Sequence, residues 1–237
     1  MRLPNLDTVV NAARKGRNAI WGVCDDLYRR VIRRPLACEY QPYYFTAPDR
    51  YPWLFEFAAA RLGSRPDLRI LSFGCSRGEE VFSLRRYFPS ATLKGIDINP
   101  HNIAQCRARA RTQSSADMTF ALAATTEGEP TGAYDAIFCL AVLCNADLTT
   151  SGAERCDPVL HFEKFDGLVG DFARCLKPGG LLVLHTTNFR FCDTRVAPDF
   201  DVVLEADPTH LAADVLFDRD NRLMSGARYR AVAFEKR

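Results

Sequence analysis

Residues 70–80 read Ile-Leu-Ser-Phe-Gly-Cys-Ser-Arg-Gly-Glu-Glu, an apolar run that breaks at a glycine-bearing turn and resumes as a charged stretch compatible with a helix. Few folds accept that order. Ile70, Leu71 and Phe73 supply the unbroken apolarity of a central parallel strand, which is buried on both faces. Gly74 and Gly78 let the backbone turn sharply and approach a ligand closely, and the helix that follows presents unpaired N–H groups to an anionic moiety. A second strand, Thr92 to Ile96, ends on Asp97 about one βαβ unit later, where a carboxylate can accept both hydroxyls of a ribose. The turn and the acid together describe a small-molecule site with two anchors.

A third segment, Cys175-Leu176-Lys177-Pro178-Gly179-Gly180-Leu181-Leu182-Val183-Leu184, reads as a helix end, a Pro-Gly-Gly break and a buried strand. Between these landmarks the alternation is regular. Strands are expected at 69–74, 91–97, 118–122, 135–141 and 181–186, with helices at about 79–87, 101–111 and 162–176. That spacing indicates an α/β fold with a parallel sheet and helices on both faces. Val215-Leu216-Phe217 and Tyr229 to Phe234 leave no room for a helical crossover, so they are expected to pair antiparallel at a sheet edge.

Before Arg65 the chain changes character. Residues 6–34 carry apolar positions at helical spacing and end in Arg29, Arg30, Arg33 and Arg34, which suit a helix C-terminus and a solvated face. From Glu39 to Phe57 runs a dense aromatic segment, Tyr40, Tyr43, Tyr44, Phe45, Tyr51, Trp53, Phe55 and Phe57, broken by three prolines. Part of it is core, and part is placed to cover a pocket. The expected division is a helical and aromatic extension over 1–64, with a possible lid, and a main domain over 65–237.

Composition narrows the functional classes. A net charge of +2 over 237 residues, with no dominating basic block, carries no strong nucleic-acid signal. The nine cysteines form no Cys-x-x-Cys pair and sit in strand and helix segments, which points to reduced, buried thiols in a cytoplasmic protein and to no metal site. No apolar run is long enough to span a bilayer, so no membrane partner is expected.

Four of these segments resemble one family. Gly74-Cys75-Ser76-Arg77-Gly78 is similar to the first glycine motif of the class I S-adenosylmethionine-dependent methyltransferases, and Gly95-Ile96-Asp97-Ile98-Asn99 to their acidic strand end. Tyr134-Asp135-Ala136-Ile137-Phe138-Cys139 resembles their fourth strand, and Leu176-Lys177-Pro178-Gly179-Gly180 the turn before their fifth. Gly-Cys-Ser-x-Gly-Glu-Glu followed by Ile-Phe-Cys is closest in motif to the chemotaxis-receptor glutamate methyltransferases. Ser72 and Ser76 stand where many class I enzymes have an acid and a glycine, as in that receptor-methylating group. Leu140 and Ala141 stand where the group has Arg-Asn.

The resemblance implies a Rossmann-like, doubly wound, seven-stranded sheet and S-adenosyl-L-methionine as cofactor. Backbone from Phe73 through Gly74, Cys75 and Ser76 to Gly78 would hold its methionine part, with Glu79 or Glu80 at the ammonium. Asp97 would hold the ribose, Ile98 would pack on adenine, and the loop around Ala123, Ala124 and Thr125 would meet the base. Leu140 would border the sulfonium. The implied reaction is methyl transfer to a small-molecule or protein side-chain acceptor, with O-methylation of a carboxylate or hydroxyl favoured. A hydroxyl acceptor needs a general base, for which position proposes His185, Asp147 or His161; Asn188 and Arg190 are candidate acceptor-pocket residues. Two alternatives stand beside it: a non-catalytic binding or partner subunit that keeps the fold, and a nicotinamide-dependent oxidoreductase, which shares the glycine-plus-acid logic.

Overall fold

The computed structural model describes residues 40–41, 46–112, 117–211 and 215–237, all within one compact unit spanning 38–237. The helices expected over 6–34, and Tyr43, Tyr44 and Phe45, lie outside the described residues. In chain order the elements are α1 (Pro52–Leu62), β1 (Arg69–Phe73), α2 (Glu79–Tyr87), β2 (Thr92–Asp97), α3 (Pro100–Thr112), β3 (Met118–Leu122) and β4 (Tyr134–Leu140). They continue with α4 (Ala146–Ser151), α5 (Phe162–Cys175), β5 (Leu176–His185), β6 (Phe200–Glu205) and β7 (Ala231–Lys236). Among the described residues no helix is long and apolar enough to cross a membrane.

The seven strands form one sheet in the order β3-β2-β1-β4-β5-β7-β6, parallel from β3 to β5 and antiparallel at β7 and β6. The chain begins this sheet at β1, winds outward to β3, then returns to the other side of β1 as β4. That reversal leaves a crevice beyond the carboxyl ends of β1 and β4.

Strand alternation divides the core into two layers. Leu71, Phe73, Ile137, Cys139, Leu182 and Leu184 join Phe165, Val169 and Phe172 of α5 on one face. Ile70, Ala136, Phe138, Leu181 and Val183 face Leu54 and Phe55 of α1, Val81 and Leu84 of α2, and Ile103 of α3 on the other. With both faces covered, the inner strands can be apolar at every position, and all seven residues of β4 are buried.

One of those seven is an acid. Asp135 accepts from Lys177 Nζ at 2.7 Å, Arg65 at 2.9 Å and the Arg69 N–H at 2.9 Å, which ties the amino-terminal ends of β1, β4 and β5 together. Burial alone would raise its carboxyl, but the Lys177 bond, the Arg69 N–H and the two nearby cations outweigh it and hold the pKa below the usual range. The lysine of Lys-Pro-Gly-Gly is thus a structural partner of the fourth strand's aspartate. The Pro-Gly-Gly stretch itself is an excursion within β5, since Leu176 pairs with Tyr134 and Leu181 with Ala136 across a bulge.

The tail departs from expectation at one strand. β7 forms as expected, but its outer partner is β6, not Val215 to Phe217. Phe217 is fully buried and its N–H bonds to the Asn188 carbonyl at 2.8 Å, so this apolar trio plugs the core and its backbone is satisfied away from β7. The sheet is seven-stranded with an antiparallel edge; the edge strand comes from farther upstream.

Asp135→Ala is expected to cost about 1–3 kcal/mol, because it takes the acceptor from the Arg69 N–H and removes the anchor that Lys177 and Arg65 share. Urea unfolding measures this. A loss below about 0.5 kcal/mol would remove the ion cluster from any structural role.

Candidate active site

The crevice is built by the turn after β1. Gly74 at φ 74°, Ser76 at φ 48° and Gly78 at φ 88° all adopt the left-handed conformation, which folds the chain back so that the N–H groups of Gly74 and Cys75 both donate to the Ile96 carbonyl. Gly74 must also lack a side chain, because a Cβ there would sit 2.3 Å from Val142 Cγ2. Gly78 caps α2 from the left-handed region, and a Cβ on it would meet Phe82 at 3.0 Å and Cys106 Sγ at 3.1 Å.

Asp97, at the end of β2, reaches across this turn. Its carboxylate accepts from the Ser76 N–H at 2.8 Å, the Asn99 N–H at 2.8 Å and Asn102 Nδ2 at 3.3 Å. It is buried and lines a cavity of about 110 Å³. Phe73, Gly74, Cys75 and Ser76 form the floor of that cavity, and Ile98, Ala123 and Ala124 one side. Leu140, Ala141 and Val142 close the β4 side. The Cys106 thiol bonded to Cys75, together with burial, pushes the Cys75 thiol well up, so it lines the wall as a neutral, apolar group.

Eight of the ten residues expected around a cofactor therefore meet at one cavity, and two do not. Gly78 serves the turn. Glu79 points away and pairs with Arg109 at 3.3 Å. Its neighbour Glu80 lines the cavity instead, where burial raises its carboxyl to about 7 against the opposing pull of Ser72 and Arg50. Its Oε1 is enclosed and has no hydrogen-bond partner among the described residues.

The wall opposite the glycine turn comes from the aromatic segment: Tyr40, Gln41, Thr46, Ala47, Arg50 and Tyr51 line the cavity. Arg50 was not among the expected site residues. As a lone arginine in a proline-interrupted loop it carries no pattern that would single it out.

His185 ends β5, as expected. It is buried at the end of β5 and lines a separate depression with Arg50, Tyr51, Trp53, Glu56 and His210. Its ring packs 4.9 Å from Tyr51 and edge-on to Trp53 at 5.7 Å, so it does not face the inner cavity directly. Asp147 and His161 line neither space. Asn188, fully buried, braces the loops, accepting from the Asn145 N–H at 2.6 Å and donating to the Val215 carbonyl at 2.8 Å. Arg190 is held by Asp193 at 2.7 Å. These two are structural residues, not pocket residues.

A family profile described as a methyltransferase domain matches residues 64–221. The chain belongs to that family. No curated protein sequence matches the methyltransferase. Among solved structures it is similar to the YcgJ protein of Bacillus subtilis, at 17% identity and a TM-score of 0.44 over 56% of this chain and 50% of that one. It is also similar to Haemonchus contortus phosphoethanolamine N-methyltransferase 2 in complex with S-adenosyl-L-methionine (17%, TM-score 0.46, 60% of this chain and 30% of that). A third is the geranyl diphosphate C-methyltransferase of Streptomyces coelicolor (20%, TM-score 0.43, 57% and 43%). The methyltransferase spans half the length of these chains or less.

Gly74→Ala is expected to destabilise the fold through both the clash with Val142 and the left-handed backbone, the latter worth about 1–2 kcal/mol. Adding Val142→Ala should recover only the clash. Equal stability of Gly74→Ala and wild type in chemical denaturation would contradict the turn geometry.

Proposed function

We propose that the protein transfers the methyl group of S-adenosylmethionine to an oxygen of a small-molecule or protein side-chain acceptor, with the cavity at the β1–β4 switch as the cofactor site. The observation that carries this reading is the convergence of two acids on one cavity, Asp97 fixed by three donors and Glu80 with an enclosed oxygen that has no hydrogen-bond partner among the described residues. Both suit the group. Asp97 ends β2 at the cavity, where its carboxylate would take the ribose hydroxyls. Glu80 offers a buried counter-charge for the cofactor ammonium, in the role expected of Glu79 or Glu80.

The remaining roles follow the lining. Ile98 and Ala124 flank the adenine, backbone of Phe73 to Ser76 borders the methionine part, and Leu140 borders the sulfonium. S-adenosylmethionine supplies a methyl already activated by the sulfonium charge. The chain's own contribution is alignment and exclusion of water, and holding an acceptor oxygen in line can contribute on the order of 7 to 11 kcal/mol. Thr46, Ala47, Arg50 and Tyr51 line one side of the cavity, and in this reading their segment serves as a lid over the bound cofactor.

The likeness to chemotaxis-receptor enzymes extends in this reading to the cofactor half of the site alone. Leu140 and Ala141 replace that group's Arg-Asn pair at the cavity, so its receptor glutamate is not carried over.

Calorimetry with S-adenosylhomocysteine tests the site. Asp97→Ala is expected to weaken binding at least tenfold, about 1.4 kcal/mol; an unchanged affinity in a folded variant would take Asp97 out of the site, and no binding by wild type at millimolar concentration would overturn the reading. Glu80 adds a pH signature. Its folded value of about 7 lies above the usual 4.5, so the empty site keeps a proton that ammonium binding must expel. Affinity should rise between about pH 6 and pH 8 in wild type, and Glu80→Gln should bind more weakly with a flat profile. The same flat profile in wild type would remove Glu80 from the ammonium.

A further inference from the structure

Four rings line the depression beside the inner cavity: Tyr51 and Trp53 at the start of α1, His185 at the end of β5, and His210 on the loop between β6 and β7. They form one connected run. Tyr51 packs on His185 at 4.9 Å, His185 meets Trp53 edge-on at 5.7 Å, and Trp53 stacks on His210 at 4.6 Å with the planes 14° apart. His185 Nε2 lies 2.9 Å from the His210 carbonyl, and His210 Nδ1 lies 3.0 Å from the Asp207 carboxylate, so both imidazoles are oriented by the chain itself.

The depression adjoins the side of the cavity assigned above to the sulfonium. His185 is the register partner of Leu140, which borders the inner cavity, and the Ala141 N–H donates to the His185 carbonyl at 2.9 Å. Arg50 and Tyr51 line both spaces. The depression holds about 370 Å³ against about 110 Å³ inside, so the body of an acceptor has its room on the outer side. Resting on the methyl-transfer reading, we propose that this depression is the specificity site for the acceptor, that the acceptor carries a planar aromatic ring, and that Trp53 selects it. The ring lies among Trp53, His185 and Tyr51, and the reacting oxygen reaches past Tyr51 toward Leu140.

The lining discriminates between ligand classes. Aromatic pairs gain from offset and edge-to-face contact beyond the area they bury, and a run of four rings offers both edges and faces. A saturated ring of the same size buries similar area without that gain. Aromatic surfaces also attract ammonium groups, but Arg50 is part of this lining, with its guanidinium carbon 5.0 Å from the Tyr51 ring centre, and it repels a second cation. Glu56 balances Arg50 and leaves no surplus of negative charge for such a ligand. A guanidinium stacks on planar rings, so Arg50 favours the same class as the four rings do. Trp53 lines the depression and not the inner cavity, which separates acceptor recognition from cofactor binding.

The test uses the full chain, methyl-labelled S-adenosylmethionine and acceptor pairs that differ in ring saturation: phenol with cyclohexanol, benzoate with cyclohexanecarboxylate, and 2-naphthol with decahydro-2-naphthol. A tyrosine-containing peptide is the added arm that separates a side-chain source of the ring from a free one; transfer to either supports the proposal. Because phenols are more acidic than alcohols, the readout is KM, and the dissociation constant on the S-adenosylhomocysteine complex, not kcat. The aromatic member is expected to bind about tenfold or more tightly than its saturated partner. Trp53→Ala should raise the aromatic KM about tenfold and erase the preference, with S-adenosylhomocysteine affinity kept, and Trp53→Phe should restore most of it. His210→Leu, at a more exposed ring, should move KM in the same direction and serves if Trp53→Ala does not fold. Equal binding of both members of each pair, transfer to no aromatic acceptor, or wild-type KM values in the folded ring-removing variants would each overturn the proposal. Loss of S-adenosylhomocysteine binding by wild type would instead overturn the cofactor reading on which it rests.

Discussion

A single carboxylate joins the parts of the ligand end. Asp97 closes β2, and its oxygens hold the Ser76 N–H of the turn after β1 and the Asn99 N–H and Asn102 amide at the start of α3. Three chain segments, already touching where the Gly74 and Cys75 N–H groups donate to the Ile96 carbonyl and the Cys106 thiol donates to the Ser76 carbonyl, are thereby fixed relative to one another. The cavity floor inherits its shape from that bonding, because Ser76 at φ 48° is a residue that would relax without a partner for its N–H. The shape of the cavity and the local fold are consequently linked at one side chain.

The two ends of the sheet are organised on opposite principles. At the amino-terminal ends, Asp135 gathers Arg65, Lys177 and the Arg69 N–H, and no strained residue lies among them. At the carboxyl-terminal ends, three non-glycine residues take the left-handed conformation, Ser76 after β1, Ala141 after β4 and Thr186 after β5. Each costs roughly 1–3 kcal/mol and persists only where its surroundings over-determine it. The Ala141 N–H donates to the His185 carbonyl at 2.9 Å, so the strained ends of β4 and β5 hold each other. Stability is concentrated at one pole, and shape at the other.

The strands and helices from Arg69 to His185, except the short α4, were legible because they rest on local rules. Buried parallel strands must be apolar at successive positions, helices must carry one apolar face, and glycine marks the turn whose backbone no other residue tolerates cheaply. The edge strand was less legible. Phe200 to Glu205 is half exposed along its length, whereas Val215 to Phe217 is apolar and buried, so hydrophobicity pointed to the wrong segment. Glu79 and Glu80 show the same limit at the site, since adjacent residues of a first helical turn are about 100° apart and the sequence does not say which one meets Ser72 and the cavity. His185 was placed at the correct strand end, but Tyr51, which packs on it and lines the cavity, comes from a loop more than a hundred residues earlier.

That loop joins the cavity to the depression beside it. Arg50 and Tyr51 are consecutive and line both spaces. The Arg50 charge lowers the carboxyl of the buried Glu80 against the effect of burial, and the Tyr51 ring packs 4.9 Å from His185. One short segment therefore sets both the charge balance at Glu80 and a wall of the neighbouring depression, so that any change in its position alters the two together.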